Sequence, residues 1–202
     1  MLITSDKIKS LNPCNDRWEN FNANYPNFKG NLEEFLNLDL ITYNDKIWIG
    51  LRLMNKQQNI KFSLRCAESI LHIYENEYPN DKRLKKLLNF LKSIQDFENM
   101  TEVQKVKLLR LKKSADNAYH DIYKGAIIYH AAGIRVDDAV SALHIAQVVF
   151  HISDAAYYCF AITGITIYLN SANDAAYAAA YYAKENQQEL NLLFMKQALE
   201  TN

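Results

Sequence analysis

The chain has few of the residues that interrupt helices. Its 202 residues include three prolines and five glycines. The last proline is Pro79, so residues 80–202 lack the strongest helix breaker entirely. Hydrophobic residues make up 49% of the chain and charged residues 23%, which is typical of a globular protein and excludes a disordered one. Helix is therefore the expected structure beyond Pro79.

Cysteines and long apolar runs are also scarce. Cys14, Cys66 and Cys159 fit neither a disulfide framework nor a paired metal motif. Charged side chains interrupt any apolar run at the start, so we expect no signal peptide and a reducing cytoplasm. The most apolar stretch, residues 155–169, contains tyrosine, threonine and glycine and is shorter than the roughly 20 apolar residues that span a membrane. We expect a buried helix there and no membrane association.

Net charge is zero, but the charge is unevenly distributed. Residues 82–113 carry ten basic and three acidic side chains, whereas residues 114–202 carry four basic and nine acidic. The strong overall basic balance that is typical of nucleic-acid-binding proteins is missing.

Apolar residues recur at helical spacing from residue 57 onward. The clearest helical face, which we expect to end at Pro79, contains Ile60, Leu64, Ala67, Leu71, Tyr74 and Tyr78. We expect Asn80 to cap the next helix. Thr101 and Gln104 have the spacing of a capping box, and the helix they open is expected to end at Gly125 or Gly133.

These patterns predict an all-α protein, a multi-helix bundle within a single domain of residues 1–202. Residues 1–55 look like short helices separated by turns, and residues 56–202 like a bundle of long helices. We expect residues 115–183 to form an alanine-rich helical half, since alanine favours helix and lets neighbouring helix axes approach closely.

One candidate catalytic pattern resembles that of helical metal-dependent phosphohydrolases with a His…His-Asp…Asp arrangement. The doublet His120-Asp121 would supply the centre, with His72 and Asp174 in the outer places. Imidazole and carboxylate suit a divalent metal that activates water. The competing interpretation is a polar pair on a helix surface, because one such doublet arises readily by chance in a chain of this composition.

His144, His151 and Asp154 share one helix face, at spacings of seven and three. Two turns separate the imidazoles by about 10.5 Å, which is too far for one ion to bridge easily, so we expect hydrogen-bonded polar positions between helices, with a metal or catalytic role as the alternative. Cys159 lies in an apolar setting that disfavours a thiolate nucleophile. No cofactor motif is found, and we expect no cofactor and no enzymatic activity.

The basic residues of 82–113 have two interpretations. They could bind nucleic-acid phosphates through side chains such as Lys112 and Lys113. The leucines between them are helically spaced, however, and aromatic residues for base stacking are absent from the basic face. A solvated face or an acidic protein partner is therefore favoured over nucleic acid.

Residues 65–83 contain Cys-Ala-Glu at 66–68, Tyr-Glu at 74–75 and a Pro-x-Asp-x-Arg turn at 79–83. This segment resembles the immunity protein family found with bacterial polymorphic toxins, and residues 115–183 and 185–199 are similar in character to that family's second half and ending. The resemblance implies a non-catalytic protein that neutralises a bacterial toxin by binding it. Its motif positions suggest partner-binding roles for Glu68, Glu75, Asp81 and Arg83. An inhibitor of another bacterial or phage defence system is an alternative of the same physical class.

Overall fold

The computed structural model describes residues 2–131 and 187–200. This part of the chain contains eight helices and a short antiparallel sheet. The strands are β1 (Ile3–Thr4) and β2 (Lys29–Gly30), and the helices are α1 (Ser5–Ser10), α2 (Asn15–Asn24), α3 (Leu32–Leu36), α4 (Tyr43–Leu53), α5 (Lys56–Glu77), α6 (Arg83–Lys92), α7 (Glu102–Ala131) and α8 (Gln187–Glu200). The expected all-α bundle is confirmed. Most of the alanine-rich half falls outside the described residues.

The N-terminal subregion consists of short helices, as expected, joined by a sheet that the sequence did not predict. Ile3 pairs with Gly30 in the two-residue ladder between β1 and β2. The side chain of Thr4 accepts a hydrogen bond from the backbone of α1. Asn31 and Glu34 form a capping box that begins α3. Side-chain caps of this kind satisfy backbone donors that such short helices would otherwise leave unpaired.

Helix α5 contacts both α6 and α8. Asn55 and Gln58 form the capping box at its start, and the buried side-chain amide of Asn59 links its first turn to the end of α4. The Nδ2 of Asn59, which is 1% exposed, donates to the carbonyls of Leu51, Met54 and Asn55 at 3.0, 3.2 and 3.1 Å. The carbonyls of Leu51 and Met54 lie at the end of α4, where helical partners run out, whereas that of Asn55 also accepts from the backbone amide of Asn59 at 3.0 Å. Asn59 therefore joins α4 to α5.

Replacing Asn59 with alanine should lower the free energy of unfolding by about 2 kcal/mol, because it leaves buried carbonyls without a donor. Urea denaturation followed by circular dichroism measures this loss. Asn89→Ala is the matched control, since Asn89 is exposed on α6 and its replacement should change stability by less than about 0.5 kcal/mol. Equal stabilities of the two variants would show that the hydrogen bonds of the Asn59 amide do not stabilise the junction of α4 and α5.

Helix α7 begins as expected and runs through the first of its two expected end points. The backbone amide of Thr101 donates to the side chain of Gln104 at 2.8 Å, and the amide of Gln104 donates to the Thr101 hydroxyl at 3.3 Å. The predicted capping box is thus confirmed. An end at Gly125 is wrong, since the helix runs through this glycine to Ala131. Isolated glycine costs only about 1 kcal/mol in a helix, which tertiary packing easily offsets. Gly133 lies outside the described residues.

Helix α8 returns to contact α3, α4 and α5. The contact with α4 depends on Gly50, because a Cβ there would lie 1.9 Å from Sδ of Met195. Met195 is fully buried and has no solvent side toward which it could move. The missing side chain at Gly50 therefore lets α8 pack directly on α4.

Gly50→Ala should destabilise the protein by about 1–2 kcal/mol, because the clash with Met195 outweighs the better helix propensity of alanine. Gly125→Ala is a matched control in the interior of α7, where no described atom lies within 4 Å of the new Cβ. That variant should gain about 0.5–1 kcal/mol. Thermal denaturation of both variants measures the contrast. Stabilisation by both replacements would contradict the close packing of α4 and α8.

One cluster of buried side chains extends from Ile3 near the N-terminus to Ala198 in α8. A single domain of residues 1–202 stays a prediction. Across residues 2–131 and 187–200, no helix has the length and apolarity that crossing a membrane requires.

Candidate partner-binding site

The four charged residues singled out by the family resemblance lie on the hairpin of α5 and α6. Glu68 and Glu75 are on α5, Asp81 is in the connecting turn, and Arg83 is the first residue of α6. The spacing of seven places the two glutamates two turns apart on the same side of α5. The structure thus brings all four to the edge where α5 meets α6.

Asp81 is the centre of the hydrogen bonds in the turn. The Tyr74 hydroxyl donates to its Oδ2 at 2.8 Å, and the backbone amide of Arg83 donates to its Oδ1 at 2.9 Å. The guanidinium of Arg83 adds a bond from Nη2 at 2.6 Å. The expected cap at Asn80 is wrong: Lys82 occupies the N-cap position without a side-chain bond, and Asp81 satisfies the first amide of α6 instead.

The turn stabilises each group in the ionisation state that its bonds require. Burial by itself would raise the pKa of Asp81, but the hydrogen bonds from Arg83 and Tyr74 outweigh burial and lower it. The hydrogen bond to Asp81 raises the pKa of Arg83, and burial together with Asp81 raises the pKa of the Tyr74 phenol. At neutral pH the turn therefore contains a carboxylate, a guanidinium and a neutral phenol.

The remaining contacts of the motif residues are ion pairs between neighbouring helices. Glu75 accepts from Lys85 of α6 at 2.9 Å, and Glu68 forms an ion pair with Lys92 near the other end of that helix. The guanidinium of Arg83 also donates to Asp121 of α7, at 2.7 Å. All four motif residues thus bond within the chain, and together they fix the relative positions of α5, α6 and α7.

A surface that combines cations with apolar residues lies on the first half of α7. We call it the basic face, and it consists of Val103, Val106, Lys107, Arg110 and Lys113. Helical spacing places these residues on one side. Val103 is 79% and Val106 65% exposed, so this surface presents aliphatic side chains to solvent between positive charges. In the described part of the chain, Arg110 and Lys113 have no ion-pair partner. The expected solvated basic surface is therefore present on α7.

The candidate phosphohydrolase pattern is not assembled by the residues that the structure describes. His72 is exposed on α5 and its Nδ1 lies 3.0 Å from the carbonyl of Ser69. His120 lies 3.4 Å from Asp116, while Asp121 pairs with Arg83. Within residues 2–131 and 187–200, no group of three or more possible ligands could hold a metal ion. Asp174 lies outside those residues.

Of the other candidate catalytic residues, some fall outside the described residues and Cys66 lies within them. His144, His151, Asp154 and Cys159 fall outside the described residues. Cys66 is fully buried, and its thiol donates to Oδ1 of Asn191 in α8 at 3.5 Å. Burial raises the pKa of that thiol, which suits a packing role rather than nucleophilic attack.

A groove near the N-terminus was not predicted from the sequence. It has a volume of about 460 Å³ and lies between α1, α2 and α4. We call it the tryptophan groove; its walls include Cys14, Arg17, Trp18, Asp45, Trp48 and Arg52. The spacing of four between Trp48 and Arg52 is a local signal that could have indicated a stacked pair. The approach of Trp18 from another helix has no such signal.

Comparison with known proteins gives one match. A family model described as Imm-5 like putative immunity protein matches residues 50–166, which is more than half of the chain. The matched region begins near the end of α4 and contains the whole α5–α6 hairpin and α7. Most of the tryptophan groove precedes it. No curated protein and no solved structure matches the chain significantly.

Proposed function

The chain belongs to the Imm-5 like putative immunity protein family, and from that premise we propose that it neutralises a bacterial toxin by binding it without catalysis. The family match is the observation that carries the proposal. It covers the hairpin whose motif first suggested this family. The protein would act in the cytoplasm of the producing cell, where it occupies the toxin before the toxin can act.

The α5–α6 hairpin supports a binding role because its motif residues already have internal partners. Side chains that are fixed before binding lose less conformational entropy when a complex forms. We propose that Glu68, Glu75, Asp81 and Arg83 serve partner binding by positioning the helices rather than through their own charges. Arg83 is central, since it bonds both to the turn and to Asp121 of α7.

We propose that the basic face receives an acidic surface of the toxin. Its cations lack internal ion-pair partners in the described part of the chain, so their field is available to a partner. Complementary charge accelerates encounter and excludes wrong partners. The exposed Val103 and Val106 add apolar area that binding would remove from water. Nucleic acid is disfavoured, because aliphatic rather than aromatic side chains lie between the cations.

Co-expression tests the proposed function. The probe is the toxin encoded by the neighbouring open reading frame, expressed from an inducible promoter in a sensitive host, with or without this chain. We expect the chain to restore growth and to co-purify with the toxin. A matched control is an immunity protein of another toxin, which should neither restore growth nor co-purify.

Growth arrest that persists with well-expressed, folded protein, together with no complex on size-exclusion chromatography, would reject the proposed function. Growth restored without any complex would reject direct binding and favour action on the toxin's target or product.

A further inference from the structure

The tryptophan groove has two aromatic walls from different helices. Trp18 of α2 stacks on Phe21, with ring centroids 6.0 Å apart and planes inclined by 26°. Trp48 of α4 carries the guanidinium of Arg52 over its ring, at 3.6 Å from the centroid. Both indoles line the groove and are partly buried, and Nζ of Lys9 lies 5.5 Å from the centroid of the Trp18 ring.

The charges in the groove do not balance. Asp45 accepts bonds from Arg17 at 3.3 Å and from the Thr42 hydroxyl at 2.7 Å, so its carboxylate is already partnered. Arg52 donates to the backbone carbonyl of Trp48 at 3.3 Å, and no carboxylate of the described residues pairs with it. The guanidinium of Arg52 is partly removed from water, and this burial lowers its pKa. A partly desolvated, unpaired cation therefore remains beside the aromatic wall.

We propose that the tryptophan groove binds a segment of the partner protein in which an aromatic side chain adjoins a carboxylate. The proposal rests on the proposed function and adds a second contact to the basic face. The aromatic ring would pack against the indoles of Trp18 and Trp48, and the carboxylate would pair with the guanidinium of Arg52, which can donate two parallel bonds. Tryptophan and arginine dominate the residues that contribute most to protein–protein affinity. The volume of the groove is that of an ordinary ligand pocket.

The groove has a built-in reporter, because the chain contains two tryptophans and both line it. A change in intrinsic tryptophan fluorescence on binding therefore arises from the groove or from a change transmitted to it. A substitution at Arg52 tests whether the ligand binds in the groove itself, because Arg52 lies in the groove.

The first experiment titrates the full chain with three short peptides. Acetyl-Phe-Asp-amide should give a saturable fluorescence change with a Kd on the order of 1 mM, which is typical of a single small anchor. Acetyl-Phe-Asn-amide, which lacks the charge, should bind about tenfold more weakly, as should acetyl-Ala-Asp-amide, which lacks the ring. Arg52→Gln should remove the difference between the Asp and Asn peptides. Lys29→Gln, an exposed replacement on β2, should preserve it.

The second experiment measures the affinity of the inactivated toxin for the same variants by calorimetry. Arg52→Gln and Trp48→Phe should each weaken binding by about tenfold or more. Arg52→Lys, which keeps the charge but loses the planar fork, is a second variant in case Arg52→Gln folds poorly; it should weaken binding less.

The outcomes of these experiments distinguish a failure of the groove proposal from a failure of the proposed function. No saturable response to acetyl-Phe-Asp-amide would overturn the groove proposal. Unchanged toxin affinity in folded Arg52 and Trp48 variants would also overturn it, while neutralisation by the wild type would leave the proposed function standing. A wild type that binds the peptide but neither binds nor neutralises the toxin would instead show that the proposed function has failed, and the groove proposal with it.

Discussion

Asp81→Ala should lower the free energy of unfolding by about 2–3 kcal/mol, among the largest losses expected for a carboxylate in residues 2–131 and 187–200. The replacement leaves the Tyr74 hydroxyl without its acceptor, leaves the guanidinium of Arg83 with Asp121 as its remaining partner, and removes the bond to the first amide of α6. The side chain of Asp81 is 17% exposed, so water can replace these bonds only in part.

Chemical denaturation measures the loss, and Glu19→Ala on the exposed side of α2 is the matched control, expected within about 0.5 kcal/mol of the wild type. Tyr74→Phe removes one bond of the network and should cost about 1 kcal/mol. In the double variant the two losses should not add, because both remove the same contact. Additive losses, or a loss at Asp81 no larger than at Glu19, would contradict the proposed network.

The effect of Asp81 should also depend on pH. Its pKa is lowered in the folded protein, so its contribution to stability is complete above the ordinary pKa of about 3.9 and is lost as pH falls through the lowered value. The stability difference between the wild type and Asp81→Asn should therefore be constant from neutral pH down to about pH 5 and shrink below about pH 4.

Charge reversal on the basic face should slow toxin binding by about tenfold or more at low ionic strength. The variant replaces both Arg110 and Lys113 with glutamate, which turns an attractive field into a repulsive one on the approach path of an acidic partner. Both side chains are exposed and have no ion-pair partner in the described part of the chain, so stability should change little. Stopped-flow measurement of the association rate constant tests this prediction.

A control with the same change in net charge identifies the location of the effect. Lys7 and Lys29 are exposed in the N-terminal subregion, and their joint replacement with glutamate should slow association less than reversal of the basic face. The difference between the two variants should shrink as salt is raised, because the Debye length falls to about 8 Å at 0.15 M ionic strength. Equal slowing by both double variants would assign the effect to net charge and reject a specific acidic contact.

Local signals accounted for much of the helical architecture. The capping box of Thr101 and Gln104 was predictable because both residues lie within one turn, and the periodic apolar face of α5 was predictable because burial repeats with the helical period. The prediction of Asn80 as the cap of α6 was wrong, because the helix begins at Arg83 with Lys82 as its N-cap. The residue types at 80 and 81 are both good caps, and the bond from Tyr74 that positions Asp81 is a tertiary contact.

Contacts between distant parts of the sequence could not be predicted in this way. Met195 lies against Gly50 only because α8 returns to α4. No local sequence pattern around either residue predicts this contact. The ladder between Ile3 and Gly30 is too short to show an alternating pattern. The tryptophan groove likewise forms because α2 and α4 place Trp18 and Trp48 along the same cavity. The partner-binding role of Glu68, Glu75, Asp81 and Arg83 came from resemblance and stays a proposal; the structure adds the internal bonds of each residue.

We propose that this chain neutralises a toxin by occupying it. Titration of a fixed amount of active toxin with the purified chain tests this proposal, with the remaining toxin activity as the readout. We expect a linear loss of activity that reaches zero near one equivalent. The toxin should keep its mass and should be active again after the complex is separated under denaturing conditions and the toxin is refolded. Complete loss of activity at a small fraction of an equivalent, with permanently altered toxin, would show a catalytic mechanism and reject neutralisation by binding.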